Sequence, residues 1–411
     1  TVTSLFNVNH NTTIFSSEYT HDVNDKLSIT PEFIYKKQEP WKVVNQKSKD
    51  AYYFLDVETQ RITSRITANY DITNDFNMIG GFEIFSDQAT ATDPYDYFLP
   101  DNTQDSMQAK VNYMNYAAFA QGQLNTDFAN ILAGIRFENN SGYSSSFVPR
   151  LALTKAFDKF HYKLLISQAF RGPGIANINT NRIARAENTP GVGKIKPEKT
   201  TVLELELGYR LTDKMSMMAN VYDITIKDPI VYAWDGIDIY QNYDKTGSRG
   251  VEFNFQYRPS WGNLKLSYAH YMQADKNKVG AYSVPEKFDN EALLGMSRDK
   301  FTFYSSFKFG DNITLSPWLV YNGKKYGWSP GRDNEGNIEW DPNTEFDPTI
   351  LANIALTYNN LFIEDLALSL SAYNLLNEEI NYVQPYMQLW HSPLPGASRE
   401  FMVKLSYNLF N

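Results

Sequence analysis

Apolar and polar side chains alternate with a period of two along almost the whole chain, and this alternation limits the fold more than any other feature. Residues 203–209 read Leu-Glu-Leu-Glu-Leu-Gly-Tyr, residues 251–257 Val-Glu-Phe-Asn-Phe-Gln-Tyr, and residues 401–407 Phe-Met-Val-Lys-Leu-Ser-Tyr. Successive side chains of a strand point to opposite faces. Val251, Phe253, Phe255 and Tyr257 therefore share one face, and Glu252, Asn254 and Gln256 share the other. The pattern recurs at Ile62/Ser64/Ile66/Ala68/Tyr70, Ile131/Ala133/Ile135/Phe137, Phe301/Phe303/Ser305/Phe307/Phe309 and Leu366/Leu368/Leu370/Ala372. No segment shows a convincing helical period, so the chain reads as all-β. About seventeen strands of roughly 10–16 residues can be marked, against the ~5–6 usual in globular sheets. A strand tilted by about 45° needs roughly 9–11 residues to cross a bilayer core, and these have that many.

The connections alternate too. Short turns fall near 23–26, 73–75, 126–127, 158–159, 212–214, 259–262, 311–312 and 359–363. Longer polar, Gly/Pro/aromatic segments fall near 42–50, 91–111, 140–146, 171–198, 233–244, 274–297, 327–347 and 377–397. An up-and-down meander trimmed at one end and elaborated at the other gives this pattern, and outer-membrane barrels have that asymmetry. A soluble propeller or tandem sandwiches would also alternate. A propeller, however, should repeat every ~40–50 residues, and sandwich domains of about 100 residues should be joined by linkers. Neither feature is visible. The expected fold is an antiparallel transmembrane β-barrel.

Composition narrows the function. There is no Cys, which excludes disulfides, Cys-ligated zinc and thiol catalysis. A net charge of −9 gives no footprint for nucleic acid. No apolar run approaches the roughly 18 residues of a membrane helix. The chain opens Thr1-Val2-Thr3 with neither Met nor signal peptide, so a processed protein or a fragment is expected. Arg65, Arg136, Lys163, Glu204, Glu206, Glu252, Arg258 and Lys308 lie opposite apolar stripes. On a lipid face a basic residue costs roughly 2–4 kcal/mol at the midplane, so these side chains are expected to face a wet lumen. Tyr70, Tyr209, Tyr257, Tyr358 and Tyr407 near strand ends suit an interfacial girdle.

Five ordered segments add a resemblance: FVPRLALTKAFDKFHYKLLISQAFRGP at 147–173, IKPEKTTVLELELGYRL through VYDITIKDPI at 195–230, TGSRGVEFNFQYRP at 246–259, LSAYNLLNEEI at 370–380 and PLPGASREFMVKLSYNLF at 393–410. Together these resemble the C-terminal barrel part of TonB-dependent outer-membrane transporters. The departures are Gly172 where Ala is usual, Gly396-Ala397-Ser398-Arg399 in place of Pro-Gly-Arg, and Asn411 after Phe410. The family barrel has twenty-two strands around an N-terminal plug. The resemblance thus implies that residues 1–411 form one barrel domain, about strands 6–22, with the plug, the TonB-contacting segment and about five strands absent from this segment.

The resemblance further implies uptake of a scarce bulky solute at the bacterial outer membrane, energised through TonB, with bilayer and lipopolysaccharide contacts and a surface lipoprotein as a further candidate partner. A ferric siderophore is the leading cargo, with cobalamin and oligosaccharides behind it. No His follows Phe170-Arg171-Gly172-Pro173 before His270, which counts against haem. A passive porin and an adhesin-type surface barrel remain open. No enzyme, metal or cofactor site is expected. The five His (His10, His21, His161, His270, His391) lack zinc-binding spacing, and no Gly-x-Ser-x-Gly or phosphate loop occurs. Glu204 and Glu206, about 7 Å apart on one face, would suit a glycosidase pair, but a solvated lumen wall is the reading preferred. Candidate ligand contacts lie on the long loops. They are the aromatics Tyr95, Tyr97, Trp234, Tyr240, Tyr282, Trp328, Trp340, Tyr386 and Trp390, and Arg171, Arg182 and Arg185, which could grip an anion.

Overall fold

The computed structural model describes residues 8–43, 57–91, 110–174, 177, 194–234, 238–286, 288–332, 335, 338–383 and 393–409. Tyr95, Tyr97, Arg182, Arg185, Tyr386 and Trp390 lie outside these. Contacts divide the chain into two compact units. One comprises Thr1–Leu153, Ile166–Thr201 and Ile226–Asp244, the other Thr154–Leu165, Val202–Thr225 and Lys245–Asn411. Among the described residues there are nineteen strands of 8 to 17 residues, of which Lys325–Arg332 and Ile338–Phe346 form a separate hairpin and seventeen belong to the large antiparallel sheet. No described helix is long and apolar enough to cross a membrane.

In the first unit, Val8–Glu18 pairs with Leu27–Val43, and the sheet continues antiparallel through Val57–Thr73, Phe76–Ala91, Lys110–Asn125 and Asn130–Asn140. Register sets like against like. Ile66 faces Phe82, Phe82 faces Ala118 and Ala118 faces Phe137 on one side of the sheet. On the other side Glu32 faces Arg65, and Arg65 faces Glu83. The second unit repeats this through Lys245–Tyr257, Gly262–Met272, Asp299–Phe309, Ile313–Asn322, Thr349–Tyr358, Leu366–Tyr373 and Glu400–Tyr407. There Phe255, Leu266, Phe303, Leu319 and Ala352 form one apolar row across five strands, and Gln256 and Lys265 lie on the opposite face.

Burial runs opposite to that of a water-soluble sheet. Phe82 is 67% exposed and Ile84 46%, while Glu83 between them is 6% exposed. Phe401, Val403 and Leu405 are all exposed. A sandwich or propeller would press this apolar stripe into a core. Here the apolar stripe is the exposed one and the polar stripe beside it is the less exposed, so the sheet is built for hydrocarbon. Tyr70, Tyr209, Tyr358 and Tyr407 are exposed beside the short-turn ends, where an interfacial girdle belongs.

Side chains that imitate backbone close the short turns. Asn24 Oδ1 accepts the amides of Lys26 and Leu27 at 2.9 and 3.0 Å, and Thr73 Oγ1 accepts the Phe76 amide at 3.1 Å. One expected long loop, 140–146, is instead a two-residue turn between Asn130–Asn140 and Tyr143–Ala156. Asn140 Oδ1 accepts the Gly142 amide at 2.8 Å, and Met114 donates its amide to Ser141 Oγ at 2.9 Å, so the Asn-Ser-Gly run turns locally. Two expected loops contain hairpins, Ile230–Trp234 with Asp238–Asn242 and Lys325–Arg332 with Ile338–Phe346.

The inverted burial predicts an asymmetric response to substitution. In the refolded full-length protein, Leu205→Lys on the apolar face should cost about 2–4 kcal/mol. Glu206→Gln, one residue on, should cost about 1 kcal/mol or less, as for a part-exposed pair. Denaturant midpoints in lipid vesicles measure both, and equal penalties would remove the assignment of faces.

Candidate functional site

The polar face of the first unit carries a continuous charge row. Arg65 bridges Glu32 at 2.9 Å and Glu83 at 2.5 Å, and Arg136 bridges Glu83 at 2.7 Å and Glu138 at 2.8 Å. One oxygen of the buried Glu83 carboxylate goes to Arg65 and the other to Arg136. Two guanidiniums thus link three carboxylates, the five groups coming from four strands, which gives the desolvated Glu83 the partners that burial demands. Closer to the loop-bearing end, Arg61 grips Asp87 with both Nε and Nη2, at 2.5 and 2.6 Å, and lies 4.4 Å from the centre of the Phe85 ring. Asn140 donates to Asn115 Oδ1 at 3.3 Å beside this pair.

The second unit's polar face is paired in the same way. Lys163 meets Glu204 at 2.8 Å, His161 meets Glu206 at 3.3 Å, and Asn220 reaches Glu252 at 3.5 Å. Gly208 makes the His161 contact possible, because a Cβ there would overlap the imidazole lying across the sheet. Glu204 and Glu206 each therefore have a cross-strand partner, as in a solvated wall. Arg258 follows the last strand residue, Tyr257, and its amide bonds Lys214 O at 2.8 Å.

At the loop-bearing end, Arg171 is tied down. It forms a bidentate pair with Glu198 at 2.6 and 2.8 Å, and Glu198 also accepts the Ile230 amide at 3.1 Å. This clamps the end of Phe160–Arg171, the start of Glu198–Thr212 and the Ile230–Trp234 hairpin together. Tyr240 packs edge-on against Tyr232 with ring centroids 5.7 Å apart. Trp234 and Trp340 stand on the loop hairpins. Trp328 has a buried indole N–H with no partner among the described residues. Tyr282 ends the 3-10 turn Gly280–Tyr282 inside the 273–298 segment. That segment has its own small core of Val284, Ala292 and Leu294 with Tyr326, and Phe288 packs against it. Lys324 pairs with Glu345 at 2.5 Å, and this hydrogen bond holds its ammonium above the ordinary lysine range. The candidate loop residues are thus spread over separate loop structures, and no single cluster of them forms among the described residues.

Two cavities indent the polar face of the first unit. One of about 660 Å³ is lined by Arg65, Arg136 and Arg150 with Phe119 and Gln168. The other, about 480 Å³, lies nearer the loops and includes Arg61, Asp87, Tyr113 and Tyr143. Local alternation marks neither, since each is assembled from strands far apart in the chain.

Comparison with known proteins bears on the assignment. A family model described as TonB dependent receptor-like, beta-barrel matches residues 3–375. No curated protein matches the chain by sequence. Among solved structures, a mutant of the ferric enterobactin receptor PfeA from Pseudomonas aeruginosa is similar over 97% of this chain and 61% of its own, with TM-score 0.71 and 14% identity. The FrpB iron transporter from Neisseria meningitidis is similar over 96% and 62%, with TM-score 0.70 and 13% identity. The ferric-catecholate import receptor Fiu from E. coli K12 is similar over 97% and 64%, with TM-score 0.68 and 16% identity. At these identities the likeness shows the fold, and the chain spans about three fifths of each of those structures.

Glu83 is the centre of the charge row, which makes its removal informative. Glu83→Ala should lower the stability of the full-length protein by roughly 1–3 kcal/mol, the range for a lost hydrogen bond to a charged group. A double-mutant cycle with Arg136→Ala, read from denaturant midpoints, should give a positive coupling. Additive penalties would show that the row carries no cooperative energy.

Proposed function

We propose active solute uptake across the bacterial outer membrane, from the premise that this chain belongs to the TonB-dependent receptor β-barrel family. Family membership places it in the outer membrane, and its all-β antiparallel fold is that of the family's barrels. In this reading residues 1–411 are one barrel domain, about strands 6–22 of twenty-two, and the polar face lines the lumen. The observation that carries it is the inverted burial, in which exposed Phe82 and Ile84 flank buried Glu83. Hydrocarbon is thereby matched on one side and a charged, hydrogen-bonding interior on the other. Arg65, Arg136, Lys163 and Arg61 on that face each meet a carboxylate, which supports a charged, hydrogen-bonding passage for solute.

The cargo best supported is a ferric siderophore, because similar folds are described as ferric enterobactin, iron and ferric-catecholate proteins. The energising partner is TonB, engaged through a segment outside this chain. Candidate ligand contacts on the loop side are Tyr240, Tyr282 and Trp328, with Trp234 and Trp340 on the loop hairpins, and Arg182, Arg185, Tyr386 and Trp390 are further candidates in the sequence. Lipopolysaccharide meets the outer apolar face, and a surface lipoprotein is a further candidate partner.

Deleting the gene for the full-length receptor should abolish uptake of its radioiron-labelled chelate in iron-starved cells, and loss of TonB should do the same. Undiminished uptake in either strain would overturn the proposal. A steady open conductance in planar bilayers would replace it with a passive channel. Removing residues 327–347 should lower chelate affinity, and unchanged uptake would take that loop out of the binding surface.

A further inference from the structure

Of the two cavities, the one nearer the loops is the more informative. About 480 Å³ lies within the range of small-molecule sites, and the cavity opens beside Gly172, Pro173 and Gly174 where Phe160–Arg171 gives way to a loop. Its lining combines amides (Gln38, Gln60, Gln88, Asn140), phenols (Tyr113, Tyr143) and the Phe85 and Phe170 rings. The charged groups in the lining are Lys36, Arg61, Asp87 and Glu138, so formal charges cancel. Three of these four are already committed, Arg61 and Asp87 to each other and Glu138 to Arg136 at 2.8 Å. Lys36 is left as the one cation without a carboxylate among the lining groups. The whole chain has a net charge of −9.

A second observation concerns the shape of the cavity. Gly172, which stands where the family resemblance leads one to expect Ala, lies against Tyr143, and a Cβ there would overlap the phenol hydroxyl and ring. The missing methyl is what lets the Tyr143 ring lie against Gly172 within the cavity lining.

We infer that this cavity binds an electrically neutral ferric chelate in preference to a polyanionic one, and that the Gly172–Tyr143 contact shapes its mouth. Three hydroxamates neutralise Fe³⁺ completely, whereas three catecholates leave a trianion. A trianion in this cavity would give up its hydration with a single uncommitted ammonium to meet it, which is costly in a low-dielectric site. A neutral chelate instead presents amide and carbonyl groups, which the amides and phenols can donate to and accept from. The acidic field of the chain adds to the bias by repelling an incoming anion. This inference rests on the iron-uptake reading and sharpens it to a charge class.

The test uses the purified full-length receptor, titrated with a neutral ferric tris-hydroxamate and a trianionic ferric tris-catecholate, with folding checked by heat-modifiable electrophoretic mobility. Wild type should bind the neutral chelate at least about tenfold more tightly, equivalent to ~1.4 kcal/mol. Asp87→Asn keeps the shape but leaves the lining one charge more positive, so it should narrow that ratio. Lys36→Gln should widen it. Gly172→Ala should weaken neutral-chelate binding about tenfold by pushing Tyr143 aside, and Tyr143→Ala in the same chain should restore part of it. A wild-type preference for the trianion, or ratios unmoved by Asp87→Asn and Lys36→Gln, would overturn the charge assignment while leaving iron uptake intact. Failure to bind or import either chelate would overturn the iron-uptake reading itself.

Discussion

Hydrocarbon offers no hydrogen bonds, so every amide and carbonyl that enters it must already have a partner. Successive antiparallel pairing answers this constraint along both units, and it fixes what the side chains can do. A strand bonded on both edges has only its two faces left to vary. One face here is given to Phe, Ile, Leu and Val, and the other to Glu, Arg, Asn and Gln. The registers keep that division consistent over five or more consecutive strands in each unit. A slip of one residue anywhere would put Arg65 or Glu83 into lipid, so the membrane itself enforces register.

The same arithmetic explains why the polar face is so heavily paired. Facing residues on neighbouring strands are close enough for opposite charges to meet. Glu32, Arg65 and Glu83 are brought level by pairing alone, and Arg136 reaches diagonally to bind two carboxylates. Charges on that face without a carboxylate partner among the groups around them are the ones worth following. Lys36 is such a charge in the upper cavity, and its surroundings favour uncharged cargo.

Much of this was legible in the sequence because period-two alternation is a local property. The apolar faces, the short turns and the polar placement of Glu204, Glu206 and Lys163 all follow from neighbours a few residues apart. What was not legible depends on partners brought in from far along the chain. The Arg171–Glu198 clamp joins residues 27 apart in sequence, beyond the reach of local alternation. The Gly172–Tyr143 contact needed the positions of two separate strands. The Ser141-Gly142 turn was missed because its polar, small residues read as loop, although Tyr143–Ala156 begins at once after it. The interior of the 273–298 segment was hidden for the same reason, since Val284, Ala292 and Leu294 show no period and meet Tyr326 from beyond a further pair of strands.

That small interior changes how the external surface should behave. A loop held by water alone would have to become ordered each time it closed on a cargo, and the lost freedom would be subtracted from affinity. Segment 273–298 is already packed around its own apolar knot and stitched by Leu294 to Tyr282 and Gly295 to Tyr326. It meets the outside medium as a shaped, standing wall, so selectivity on that side is a matter of fit at first encounter and does not depend on rearrangement afterwards.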